Sequence, residues 1–215
     1  MKYLVSILLL ISAFITNAQT NPATIYSNLK NGAILVRLKT NSNTIKALKG
    51  NNDELMERVI AKRDKQNREI IDAFDKVFTL CPVYYFYSDD SKSIAEQKFE
   101  GVLLNNKLNK VKNIPHLKNN YLIMEFSYLM QNTDSTWSYS EWGVKDGKSQ
   151  MVDYYAGGSE KGPDALIVLM PDFRLVPTEY PYYARTFKGL PIIERSKEET
   201  IKRIVEKFEY FYTYK

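Results

Sequence analysis

AILVRLK (33–39), DELMERVIAKRDKQNREIIDAFDKVFT (53–79) and VYYFY (83–87) are the runs whose reading decides the fold. The first is short, apolar and rich in branched residues, the pattern of a strand. In the second, Met56, Val59, Ile60, Ile70, Ile71, Phe74, Val77 and Phe78 recur mostly at intervals of three, four or seven. That spacing predicts an amphipathic helix whose middle, Lys62 to Glu69, is strongly charged. Gly50-Asn51-Asn52-Asp53 supplies the break and the cap before it, and Pro82 stops it. The third run is again a strand. Strand, helix, strand in this order predicts parallel neighbours in an α/β sheet.

Working toward the N-terminus, residues 19–32 are polar, carry Pro22 and end on Asn31-Gly32, so they read as a flexible lead-in closed by a turn. A weaker helical segment spans Thr44–Lys49. Toward the C-terminus, Asp89-Asp90-Ser91 caps a short helix through Phe99, and Gly101–Leu104 reads as a third short strand. The lysine- and asparagine-rich residues 105–120 read as a surface connection.

Tyr121 to Leu129 is apolar on both faces except at Glu125 and Ser127, which places it in the middle of a sheet. Trp137–Val144 and Ser149–Tyr155 flank Lys145-Asp146-Gly147-Lys148, and Asp-Gly between such runs signals a hairpin. Residues 157–163 form a glycine-rich loop, and Ala165–Met170 is another apolar strand. Pro177 and Pro181 break a looser extended stretch, as at a sheet edge. Ser196-Lys-Glu-Glu199 is a capping box, and Ile201, Ile204, Val205, Phe208, Phe211 and Tyr212 form one stripe of a closing helix. The expected fold class is α/β, with α+β as the alternative. It is a single globular domain over 33–215, with a strand-helix-strand first half and an antiparallel second half.

The address is written in residues 1–18. Lys2, the apolar run Tyr3–Ile15 and then Thr16-Asn17-Ala18 have the order of a secretory signal peptide cut after Ala18. The run is shorter than the roughly 20 residues of a spanning helix, so no permanent membrane anchor is expected. The chain reads as an exported bacterial protein, periplasmic or secreted. Cys81 stands alone among apolar neighbours, so it reads as a buried small hydrophobe. The formal net charge of +5 is too modest to imply nucleic acid, a partner that export also disfavours. Two acid-free stretches, with Lys30, Arg37, Lys39, Lys46 and Lys49 in one and Lys107, Lys110, Lys112 and Lys118 in the other, predict a basic surface. Anionic lipids or envelope polymers suit such a surface.

Catalytic motifs are scarce. His116 is the single histidine and lies in a lysine-rich loop, which suits neither a catalytic triad nor a zinc site. No phosphate-cradling glycine loop occurs, and no cofactor is expected. Asp89, Asp90 and Asp172 follow strands and would hold a divalent cation if those strands were neighbours, or they are turn and capping residues. Glu125, interrupting an apolar strand, would form a glycoside-hydrolase-like acid pair with Glu141 or Asp153 on adjoining strands, or pair with an arginine. Trp137, Tyr139, Trp142 and Tyr154 gather on the hairpin and would stack on sugar rings or on a partner's side chains, or they pack across the strands as aromatic residues of a sheet ordinarily do. The leading expectation is therefore a non-enzymatic binding protein of the envelope, acting on a polymer or an exported protein partner. A carboxylate-based hydrolase is the alternative.

Overall fold

The computed structural model describes residues 21–112, 117, 120–129, 137–145, 148–156 and 162–214, and for 137–145 and 148–156 it describes the backbone. The signal-peptide reading of residues 1–18 and that of His116 lie outside the described residues.

The three deciding runs form β1 (Ala33–Leu38), α3 (Asp53–Val77) and β2 (Val83–Tyr87), with α1 (Pro22–Asn28) before them and α2 (Ser42–Leu48) between β1 and α3. Asn52 caps α3 through its side chain, which accepts from the Leu55 N–H at 3.0 Å. After β2 come α4 (Ser91–Ala95), β3 (Tyr121–Tyr128), β4 (Trp137–Lys145), β5 (Lys148–Ala156), β6 (Asp164–Leu169), β7 (Tyr183–Arg185) and α5 (Lys197–Tyr214). Five strands make one sheet in the order β2-β1-β3-β6-β7, and β4 and β5 make a sheet of their own. β1 pairs in parallel with both β2 and β3, whereas β6 runs antiparallel to β3 and to β7. The protein is a single α/β domain with a mixed sheet, parallel in its first half and antiparallel in its second.

Both faces of the sheet are covered. Alternate residues Ile34, Val36, Leu122, Met124, Leu166 and Val168 pack with Ile71 and Phe74 of α3 and with Ile201, Ile204 and Phe208 of α5. Their neighbours Leu35, Phe86, Tyr121, Ile123 and Ile167 meet Ile94 of α4 with Leu103 and Leu117. This double coverage explains why the β1 and β3 sequences are apolar on both faces. The capping box forms as expected: the Ser196 N–H donates to Glu199 Oε2 at 2.8 Å, and the Glu199 N–H donates to Ser196 Oγ at 3.2 Å.

Three expectations are corrected. Residues 22–31, expected as part of a flexible lead-in, are helical. Asn21 accepts from the Ala23 N–H, Pro22 opens α1, and a single 3-10 turn follows at Leu29–Asn31. Ile25, Tyr26 and Leu29 are buried in the core. The expected strand at Gly101–Leu104 is not a member of the sheet. Leu104 makes isolated bridges to Tyr85 and Lys110, because Asn105 turns the chain back by accepting from the Lys107 and Asn109 N–H groups. The helix expected to run to Phe99 ends at Ala95.

Candidate functional site

The connections from β1 and β2 leave on opposite faces: α3 covers one side, α4 the other, and β3 enters on the far side of β1. In open α/β sheets the carboxyl ends of strands at such a divergence are where ligands collect. The side chains there form a continuous polar network.

Arg37, near the end of β1, reaches across to β3, where its Nη1 donates to Glu125 Oε2 at 2.8 Å. Its Nε donates to Ser91 Oγ at 3.0 Å, and Ser91 Oγ donates to the Ser88 carbonyl at 2.6 Å. The guanidinium also stands 5.7 Å from the centre of the Phe173 ring. The loop after β1 is stitched to the loop after β2. Thr40 Oγ1 donates to Asp89 Oδ1 at 2.6 Å and Ser42 Oγ to Asp89 Oδ2 at 2.5 Å. Hydrogen bonds from Ser42 and then Thr40 hold the Asp89 carboxyl below its usual range. On the other face buried Asn67 clamps Lys39, accepting from its N–H at 3.2 Å and donating to its carbonyl at 2.8 Å.

Two crevices open from this edge. One, of about 380 Å³, is lined by Arg37, Thr40, Ser42, Ser88, Asp89 and Glu125. The other, of about 290 Å³ on the α3 and α5 face, includes Lys39, Asn67, Asp164, Arg195 and Lys197. A third groove, of about 430 Å³, runs along α5 and is lined by Tyr180, Tyr182, Arg203, Lys207, Tyr210 and Phe211.

The expected carboxylate sites fare differently. β6 is antiparallel to β3, so the chain reaching Asp172 leaves the sheet at the end opposite Asp89 and Asp90. Asp172 is instead bound to its own loop, accepting from Arg174 Nε at 2.6 Å. Among the described residues no three Asp, Glu, His or Cys side chains gather as a cation site would need. The strand-neighbour condition for Asp89, Asp90 and Asp172 is thus not met.

Glu125 is buried, but its strand neighbours are β1 and β6. Glu141 and Asp153 belong to the separate β4-β5 sheet, so neither adjoins it, and their side chains lie outside the described residues. Its partner is Arg37, one of the two roles the sequence allowed it.

The hairpin forms as expected, with Lys145 opposite Lys148, Tyr139 opposite Tyr154 and Trp142 opposite Met151. The side chains of Trp137, Tyr139, Trp142 and Tyr154 lie outside the described residues. Sequence reading missed the roles of Asn67, Thr40 and Ser42, which are polar residues of ordinary type in a helix and a loop. It also missed the exposed apolar loop Leu190–Ile193, although two isoleucines beside Pro191 between Lys188 and Arg195 are a local signal. Comparison of the chain with protein-family models, with curated proteins and with solved structures found no match.

Proposed function

We propose that this chain is an exported bacterial protein of the periplasm or the extracellular space that binds an envelope polymer or an exported protein partner without chemical conversion. The aromatic hairpin and the adjacent basic surface are its means of doing so. The observation that carries the reading is the place of the hairpin in the topology. Among the described residues, the strands bearing Trp137, Tyr139, Trp142 and Tyr154 hydrogen-bond to each other and to no strand of the main sheet. A two-stranded hairpin is marginal in water by itself and gains most from something laid against it. These four aromatic residues therefore lie on an element that pairs with no described strand of the five-stranded sheet, and they suit stacking on sugars or on a partner's side chains.

The test is a Trp137→Ala/Trp142→Ala double variant, shown to be folded by circular dichroism and thermal melting. It is compared with the parent in glycan-array and envelope-fraction binding. Loss of about tenfold in affinity is expected from removing two central aromatic anchors. Equal binding by both proteins overturns the proposal.

A further inference from the structure

Between β7 and α5 the chain turns through Phe187–Arg195, and the apolar residues of this turn face out. Leu190 is 53 % exposed, Ile193 51 % and Ile192 98 %. The turn is closed by its own hydrogen bonds. The Leu190 N–H donates to the Phe187 carbonyl at 3.1 Å, the Ile193 N–H to the Leu190 carbonyl at 2.9 Å, and the Arg195 N–H to the Thr186 carbonyl at 2.7 Å. The Gly189 N–H donates to Glu194 Oε2 at 3.1 Å, and the Arg195 guanidinium lies 4.7 Å from the Phe187 ring centre. Three large apolar side chains are thus held outward by a built turn. Single exposed apolar residues are ordinary, but three within four positions of one turn suit an interaction surface.

The collar of this tip is basic. Lys188 and Arg195 flank it in sequence, and both line the adjoining crevice together with Lys39 and Lys197. Of the acids nearby, Glu194 is held by the Gly189 N–H and Glu69 is paired with Lys197 at 2.7 Å. Asp164 also lines the crevice. An apolar tip flanked by Lys188 and Arg195 suits the surface of an anionic bilayer. There the acyl boundary takes apolar side chains and the headgroup phosphates take the cations.

We infer that the Leu190–Ile193 turn docks the protein reversibly on anionic lipid membranes, the apolar tip entering the interface while Lys188 and Arg195 meet the headgroups. This goes beyond the hairpin reading and does not depend on it, since the two surfaces belong to different elements. Three residues enter only the interface, so the contact is peripheral.

The test uses the chain from Gln19 onward, which contains every described element. Flotation is run with phosphatidylcholine vesicles, with and without about 30 % phosphatidylglycerol, at low and high salt. The parent is expected to float with the anionic vesicles, less at high salt. Ile192→Ser/Ile193→Ser is expected to bind at least about tenfold more weakly, and Lys188→Ala to bind more weakly at low salt. Ile192 is solvent-exposed, so thermal melting of the double variant should match the parent. Three results overturn the inference: no flotation of the parent, undiminished flotation of the isoleucine variant, or binding indifferent to salt. Vesicle binding lost in the Trp137→Ala/Trp142→Ala variant but kept in the isoleucine variant also overturns it, assigning the membrane contact to the hairpin. Retained vesicle binding in the tryptophan variant supports the loop, whatever that variant does to polymer binding.

Discussion

Arg37 and Glu125 face each other across β1 and β3 at 2.8 Å, the arginine side chain 28 % exposed and the glutamate side chain 11 % exposed. A buried pair of this kind costs most when half of it is removed, because the remaining charge stays behind without its partner. Glu125→Leu and Arg37→Met are each expected to lower unfolding stability by about 1–3 kcal/mol, less than for a fully buried pair because Arg37 reaches water. The double change Arg37→Met/Glu125→Leu is expected to recover much of the loss, to within about 1 kcal/mol of the parent. Urea unfolding of the four proteins checks this. Additive losses in the double variant would show that the two side chains act independently.

Tyr26 shows how firmly the N-terminal segment is fastened. Its hydroxyl donates to the Pro181 carbonyl at 2.8 Å, and its own carbonyl accepts from the Tyr212 hydroxyl at 2.9 Å. Its ring stacks on Phe208 with centroids 5.3 Å apart. Tyr26→Phe leaves a buried carbonyl unpaired and is expected to cost about 1–2 kcal/mol. Tyr26→Ala opens a cavity under α5 and is expected to cost about 3–5 kcal/mol. Thermal unfolding distinguishes these values from the near-zero effect that a flexible lead-in would give.

The parts of the fold legible in the sequence were those governed by local rules. The Ser196–Glu199 box, the Asn52 cap and the stripes of α3 and α5 each follow from residues within a few positions of one another. The α1 segment obeyed a local rule too, with Asn21 before Pro22, but its polar neighbours outweighed three apolar residues, Ile25, Tyr26 and Leu29, whose burial depends on α5 far along the chain. Sheet order was the other quantity that local sequence did not carry. Whether Asp172 lies beside Asp89 depends on β2 and β6 being neighbours, and β1 and β3 stand between them, which nothing in Ala165–Met170 encodes by itself. Glu125 stood out in the sequence as a carboxylate interrupting an apolar central strand, and the structure buries it. Its choice of Arg37 over another acid depended on the sheet order, which places β1 beside β3.

Gly32 sits at the entrance to β1 where the Asn120 backbone closes on it. A Cβ at this position would overlap the Asn120 carbonyl oxygen. That carbonyl is fixed by the sheet, because it accepts from the Ala33 N–H at 3.2 Å. Neither side can move without disturbing the start of β1 and β3, so Gly32→Ala is expected to destabilise by about 2 kcal/mol or more. Gly50 has open space around its missing Cβ but a φ of +76°, so Gly50→Ala should cost only about 1 kcal/mol of backbone strain. Chemical denaturation of the two variants side by side checks the order; equal losses would refute the overlap argument.

Cys81 lies against the core below β2, and burial pushes its thiol from 9.0 up to about 12, partly offset by a hydrogen bond with the Ile34 backbone. Burial likewise raises the hydroxyls of Tyr26, Tyr85, Tyr121 and Tyr212 above their ordinary 10.0. The folded state therefore keeps these protons where the unfolded chain releases them. The stabilisation linked to Cys81 is whole below pH 9.0 and is lost as pH rises from there to about 12, with the tyrosines steepening the loss above 10.0. A single thiol contributes at most about 1.4 kcal/mol per pH unit within that window. Urea midpoints for the parent are expected to begin falling near pH 9.0, whereas those of Cys81→Ala should hold until the tyrosine range near 10.0. In the native parent the thiol should react with an aromatic disulfide reagent far more slowly than in urea, since the thiolate is the attacking form. Equal rates in the two conditions, or alkaline curves that coincide for parent and variant, would place Cys81 in contact with water rather than against the core.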